Sequence, residues 1–221
     1  MTSVTTRKIR EMEDAGVKFL ANDNISQHVD GLDKSQMKAA LEQNFKDMLR
    51  ILRIDQKTDH NTNGTPERIA RMFVDEVFAG RYNPCPKITT FPNEKEIDQI
   101  YTSNAITVRS CCSHHFVPII GKCWIGIVPG KELVGLSKLN RLVNWFARRP
   151  QIQEELTAQI ADKIEELIQP KGIAVIIKAQ HGCVVWRGVN EGTDATMSTS
   201  IMRGCFEKPE ARAEFMSLIK L

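Results

Sequence analysis

The chain has 221 residues, enough for one moderate domain with an extension. Hydrophobic residues make up 42% and charged residues 26%, the balance of a globular chain, and a net charge of +3 gives no strong global field for a nucleic-acid partner. The start, "MTSVTTRKIREMEDAGVKFL", lacks the apolar core of a secretory signal, and apolar runs such as "IAVII" from Ile173 are too short to span a bilayer.

A cytoplasmic protein with no membrane or nucleic-acid partner is therefore expected. Six cysteines are too sparse for a disulfide framework, and in a reducing compartment cysteines grouped with histidines read as metal ligands or catalytic groups.

In chain order, residues 1–33 are polar and predict a poorly ordered or partner-dependent arm. Residues 34–95 predict a helical region. Met37, Leu41, Phe45, Met48 and Leu52 recur at three- and four-residue spacing, which makes one helix face. After the "NTNG" turn, "TPERIARMFVDEVFAG" offers Thr65 as N-cap, Pro66 at the first position and Gly80 as stop, with Ile69, Met72, Phe73 and Val77 on its apolar side. A proline-punctuated connection follows, from Pro84 to Pro92.

Residues 96–221 change character. "AITVRSCC" and "GKCWIGIVPG" have the β-branched content of strands. "GLSKLNRLVNWFARR" predicts a helix with Leu139, Leu142, Val143 and Phe146 on one face. Pro150 opens another, lined by Ile152, Leu156, Ile160, Ile164 and Leu167. "GIAVIIKAQ" and "HGCVVWRGV" predict two more strands, with Gly182 relieving a bend between them, and a last short helix lies near "PEARAEFMSLI". The order β-β-α-α-β-β predicts an α+β domain, an antiparallel sheet with two helices on one face, preceded by a helical N-terminal region.

Two cysteines and two histidines crowd into "SCCSHHFVP". Cys111 with His114, or Cys112 with His115, can share a metal if the chain turns, and spacing does not choose between the pairs. A catalytic zinc takes three protein ligands and keeps a position open. On a strand, His181, Cys183, Val185 and Arg187 of "HGCVVWRGV" share one face and would add a thiolate, an imidazole and a guanidinium. Cys85, Cys123 and Cys205 stand alone and read as packing residues. Ser137, Lys138 and Arg141 open a helix, as an anion seat or as a solvated face. Gln153, Glu154 and Glu155 open the next, where capping alone would explain the acids.

Together, "SCCSHHFVPIIGK", "GLSKLNRLVNWFARRPQIQEELT" and "HGCVVWRGV" resemble the GTP cyclohydrolase I family, and "TPERIARMFVDEVFAG" resembles its upstream helix. The resemblance runs from about Lys34 to the C-terminus. It implies the tunnelling fold and conversion of GTP and water to 7,8-dihydroneopterin triphosphate and formate, the entry to folate and pterins. It also implies a decamer of two pentamers with active sites between subunits, and Zn2+ as cofactor, supplying the hydroxide that attacks guanine C8.

Aligned on its histidine pair, the family motif C-E-H-H implies Cys112, His115 and Cys183 as zinc ligands, with Cys111 outside the shell. His114 and His181 are implied as proton-transfer groups and Glu154 as the guanine-binding carboxylate, with Gln153 beside it. Ser137, Lys138, Arg141 and Arg187 match triphosphate or ribose contacts, and Arg68 matches a phosphate contact from a neighbouring subunit. Ser113 departs from the family's acid at that position and removes one charge beside the site.

Overall fold

A computed structural model describes residues 11, 12, 14–29, 31–192 and 194–219. Residues 1–10 of the predicted arm lie outside the described residues. The chain divides into two compact units, 1–84 and 85–221, so residues 85–95 group with the second unit.

The first unit pairs helix α1 (Gly31–Ile51) with helix α2 (Thr65–Arg71). Met37, Leu41 and Phe45 are half-buried as the periodicity predicts, but Leu49 is buried and Met48 and Leu52 are exposed. Gly64, not Thr65, is the N-cap, with no side-chain cap bond. Beyond Arg71 the helix widens into a π-turn, Met72–Val77. Pro66, Ala70, Val74 and Phe78 are buried at four-residue spacing, the predicted Ile69, Phe73 and Val77 are half-buried beside them, and Met72 is exposed. Gly80 does not stop the chain's helical course, which continues as α3 (Ala79–Tyr82).

Part of the predicted arm is tied down in this unit. Arg81 Nη1 donates to the carbonyls of Leu20 (2.6 Å) and Ala21 (2.9 Å). Asn24 Nδ2 donates to those of Gly80 (2.9 Å) and Asn83 (2.7 Å). The Asn24 bonds satisfy carbonyls at the end of α3 that have no intrahelical partners.

The second unit is α+β. Its elements are β1 (Thr90–Pro92), β2 (Tyr101–Thr102), β3 (Ile106–Cys112), β4 (Pro118–Val128), β5 (Glu132–Val134), α4 (Leu136–Ala147), β6 (Pro150–Gln151), α5 (Gln153–Ile168), β7 (Gly172–His181), α6 (Gly182–Val185), β8 (Met197–Gly204) and α7 (Pro209–Leu218). The main sheet runs β6-β3-β4-β7-β8, with β2 on β4, and every pairing is antiparallel except β3 with β6.

Alternation along the strands sends Val108, Ile119, Ile125, Ile127, Ile173, Val175 and Ile177 to one face. That layer meets Leu139, Leu142, Val143 and Phe146 of α4, as predicted, and Leu156, Ile160, Ile164 and Ile168 of α5. The other face is not left bare: Trp124, Ala174 and Ile176 pack beneath Phe206, Phe215 and Ile219, so the C-terminal helix covers part of the second side.

Two predicted elements are corrected. Pro150 does not open a helix. Pro150 and Gln151 add a short parallel strand beside Cys111 and Cys112, and α5 starts at Gln153. "HGCVVWRGV" is not a strand either. β7 runs through His181, the next four residues make one helical turn, and the eighth strand comes from the polar "MSTSIMRG", paired with β7 from Ala179↔Met197 to Gly172↔Gly204.

Gly121 faces Ala179 across the β4–β7 ladder. A Cβ there would lie 2.2 Å from the Lys178 carbonyl oxygen and 2.5 Å from Ala179 Cα. Backbone cannot yield as a side chain can, so Gly121→Ala is expected to lower stability by about 2 kcal/mol or more. Urea unfolding checks this, and a midpoint equal to wild type would contradict the close approach.

Candidate metal centre and active site

The centre begins where β3 turns into β4. Cys112 N–H donates to Val117 O (2.8 Å) and Phe116 N–H donates to Cys112 O (2.9 Å), closing the loop around Ser113–Phe116. Phe116 takes the left-handed conformation, φ 53°, which costs a non-glycine residue about 1–2 kcal/mol. The loop thus reverses within four residues, as sharing a metal between Cys112 and His115 requires. Ser113 N–H donates to Gln151 O (2.9 Å), which holds the same loop to β6.

Opposite, Ile119 pairs with His181, so β7 ends beside this turn. A Cβ on Gly182 would stand 3.0 Å from Pro118 O, so the chain passes close to the start of β4. One helical turn then carries Cys183 to the cluster. Ligand atoms of Cys112, His115 and Cys183 lie within 4.8 Å of one another, and these are the three residues that the resemblance implies. The predicted sharing of a strand face does not bring Cys183 there; the α6 turn does.

The donor set fits zinc. Two thiols and an imidazole are borderline-soft ligands, and a tetrahedral zinc holds such atoms about 3.4–3.8 Å apart, within an ångström or so of the spacing found. Burial, followed by the charge of Cys112, raises the thiol pKa of Cys183. Two neighbouring thiolates are costly without a cation between them. Cys111 is buried, and burial followed by Cys112 raises its thiol to about 11, so it behaves as an inert core thiol. Cys123 is fully buried, as predicted for a packing residue, but Cys85 is exposed.

The proposed proton-transfer and substrate residues divide into two groups. His114 lies with Nδ1 3.8 Å from Cys112 Sγ. Arg187 Nη1 donates to His115 Nε2 (3.0 Å). Burial lowers the His181 pKa, and the carboxylate of Glu154, at the start of α5, opposes that shift. Gln153 is buried at 1% exposure and faces inward, with its Oε1 2.8 Å from His181 Nε2. Its amide is engaged inside the chain, an orientation that nothing in its residue type or spacing signals.

Ser137, Lys138 and Arg141 open α4 on its outer side. The far end of α4 leads into Pro150, beside Cys111, so Ser137 lies about 15 Å along the helix from that end. Within one chain they are not gathered with the cluster. Arg68 belongs to the first unit, on α2, with its guanidinium over Gly64.

An α+β domain with a Cys-His-Cys group fit for a metal, flanked by two histidines and a carboxylate, has the make-up of a metal-dependent enzyme. The family model for GTP cyclohydrolase I matches residues 41–220. A GTP cyclohydrolase 1 of Edwardsiella ictaluri is 41% identical over 191 residues, covering 86% of this chain and 86% of that protein. One from Salmonella arizonae is 40% identical over 194 residues, 87% of this chain and 86% of the relative. A solved apo structure of the archaeosine synthase QueF-Like overlaps 55% of this chain and 97% of its own at TM-score 0.37 and 12% identity, too slight a likeness to bear on either fold or function. The chain belongs to the GTP cyclohydrolase I family and is an enzyme of that family.

Cys112→Ala is expected to lose bound metal, whereas Cys111→Ala keeps it. Metal analysis of the two purified variants distinguishes them, and the reverse pattern would reassign the ligand to Cys111.

Proposed function

We propose that the chain is a zinc-dependent hydrolase of the tunnelling fold, with Cys112, His115 and Cys183 as ligands and His114 and His181 as its proton-transfer residues. Family membership makes GTP the substrate and dihydroneopterin triphosphate the product. The observation that carries the zinc reading is the convergence of those three ligand atoms from two distant stretches of chain.

When bound, zinc would lower the pKa of a water to about 7, so that a nucleophile for guanine C8 exists near neutrality. The chain's own groups do the rest. His114, adjacent to the cluster, can hand a proton to the ring nitrogen as the bond to C8 breaks, and His181 can serve the later ring opening. Glu154 accepts hydrogen bonds from N1–H and the exocyclic amine of guanine, a pair that adenine does not offer. Arg187, at the cluster, answers the charge of the phosphates or the polarity of the ribose.

Ser137, Lys138, Arg141 and Arg68 fill out the triphosphate contacts in this reading. The distance of the α4 start from the cluster favours their acting on the site of a neighbouring subunit, as in a decamer of two pentamers with sites between chains. Residues 1–33, 34–95 and 96–221 would serve as arm, helical region and catalytic domain. The enzyme would act in the cytoplasm at the head of tetrahydrofolate and one-carbon metabolism. Ser113, where the family has an acid, removes a charge between Cys112 and His114 while the ligands and proton-transfer histidines are kept.

Incubation of the purified protein with GTP should release formate and leave a product that fluoresces as a pterin after oxidation. Neither would be seen if the chain only bound nucleotide. Glu154→Ala should raise the KM for GTP roughly 5- to 150-fold, the equivalent of about 1–3 kcal/mol for losing a bidentate partner under a bound base. Unchanged GTP binding by calorimetry would take Glu154 out of the site.

A further inference from the structure

Gln153 is the first residue of α5, yet its side chain runs into the protein between β7 and β8. Its Nε2 lies 3.0 Å from Ile177 O, 3.2 Å from Met197 O and 2.9 Å from Thr199 Oγ1. Two of these partners are backbone carbonyls, which only accept. An amide oxygen in that place would face two other oxygens with no hydrogen between them, so the NH2 end must point there, its two hydrogens shared among three acceptors. The helix start itself is pinned, because Thr157 Oγ1 donates to Gln153 O at 2.7 Å.

The consequence falls on His181. With the amide orientation fixed, the atom 2.8 Å from His181 Nε2 is Oε1, which carries no hydrogen. A neutral imidazole has one N–H, and an acceptor at Nε2 puts that hydrogen on Nε2. Nδ1 is then left with a lone pair. His181 is the last residue of β7, its main chain held by pairing with Ile119, and the hydrogen bond to Gln153 keeps Nε2 as the nitrogen that faces inward.

We propose that Gln153 is a positioning residue that locks His181 as the Nε2–H tautomer, leaving Nδ1 as its lone-pair nitrogen. Glutamine is used here as a relay of orientation. The carbonyls of β7 and β8 set the amide, the amide sets the imidazole, and the imidazole presents one defined basic nitrogen. This role is distinct from contacting the substrate. It rests on the reading of His181 as a proton-transfer group only where turnover is concerned; the tautomer itself follows from the hydrogen bonds.

The test uses zinc-loaded, full-length protein with 15N-labelled histidine. The chain has only five histidines. His181 signals are identified by their loss in H181Q, at a pH where the ring is neutral. Wild type should show a protonated, pyrrole-type Nε2 and an unprotonated, pyridine-type Nδ1. In Gln153→Met the acceptor is gone, and the two tautomers should become mixed. Turnover of Q153M should fall roughly 10- to 100-fold, part of what general acid–base catalysis contributes, with KM for GTP and zinc content little changed. A protonated Nδ1 in wild type overturns the proposal, and that measurement stands even if Q153M does not fold. A folded Q153M that loses the tautomer preference but keeps kcat overturns the positioning role. The zinc-hydrolase reading is tested apart from this, by the cysteine variants and the product assay.

Discussion

The long antiparallel pairing of β4 with β7, from Ile119↔His181 to Val128↔Gly172, is the constraint on which the rest of this chain depends. A slip of one residue would turn Ile119, Ile125 and Ile127 out of the core and the polar positions into it. The same register sets the chemistry. It ends β7 beside the turn that carries Cys112 and His115, so that a single further helical turn delivers Cys183. Core packing and ligand geometry are specified by one ladder, and a sequence that buries the correct face brings the ligand set together as a by-product.

Much of this is legible in the residues. Helix α4 shows its buried face as a plain three- and four-residue repeat, because it packs along its whole length against one apolar layer. The ligand trio comes from the resemblance, since spacing alone leaves two registers open. What escapes is local geometry decided by tertiary contacts. The π-turn at Met72–Val77 widens its helix without any breaker residue to announce it. β8 is polar because its side chains are exposed or half-buried, so it carries no apolar alternation, and it is a strand through its ladder with β7. "HGCVVWRGV" has the β-branched look of a strand, but its ladder ends at His181 and the next four residues turn into a helix. The inward role of Gln153 depends on two carbonyls and a hydroxyl more than twenty residues away, which no local pattern encodes.

The sheet is also bound to its helices by charge. Arg203 on β8 reaches Asp162 (2.7 Å) and Glu165, both on α5. β8 is the last strand of the sheet, and this contact ties it to the helix that begins with Gln153. The two ends of β8 thus meet α5 differently: Met197 and Thr199 through the Gln153 amide, Arg203 through carboxylates. Partly exposed ion pairs add little stability singly, but a fork of two acids on one guanidinium defines where the strand can sit.

The turn at Cys112–Val117 has a consequence for how metal and fold depend on each other. Its shape is held by main-chain hydrogen bonds, by β6 alongside and by a phenylalanine kept in a strained conformation, none of which involves a ligand side chain. Beneath it lie two apolar layers that do not need an ion to assemble. In small zinc domains the ion supplies most of the folding energy, so binding and folding are a single event. Here the scaffold carries the cost of bending the loop. Were the proposed zinc bound, its affinity would be free for holding and exchanging the ion, and a chain stripped by a chelator would be an intact vessel awaiting reloading rather than an unfolded one.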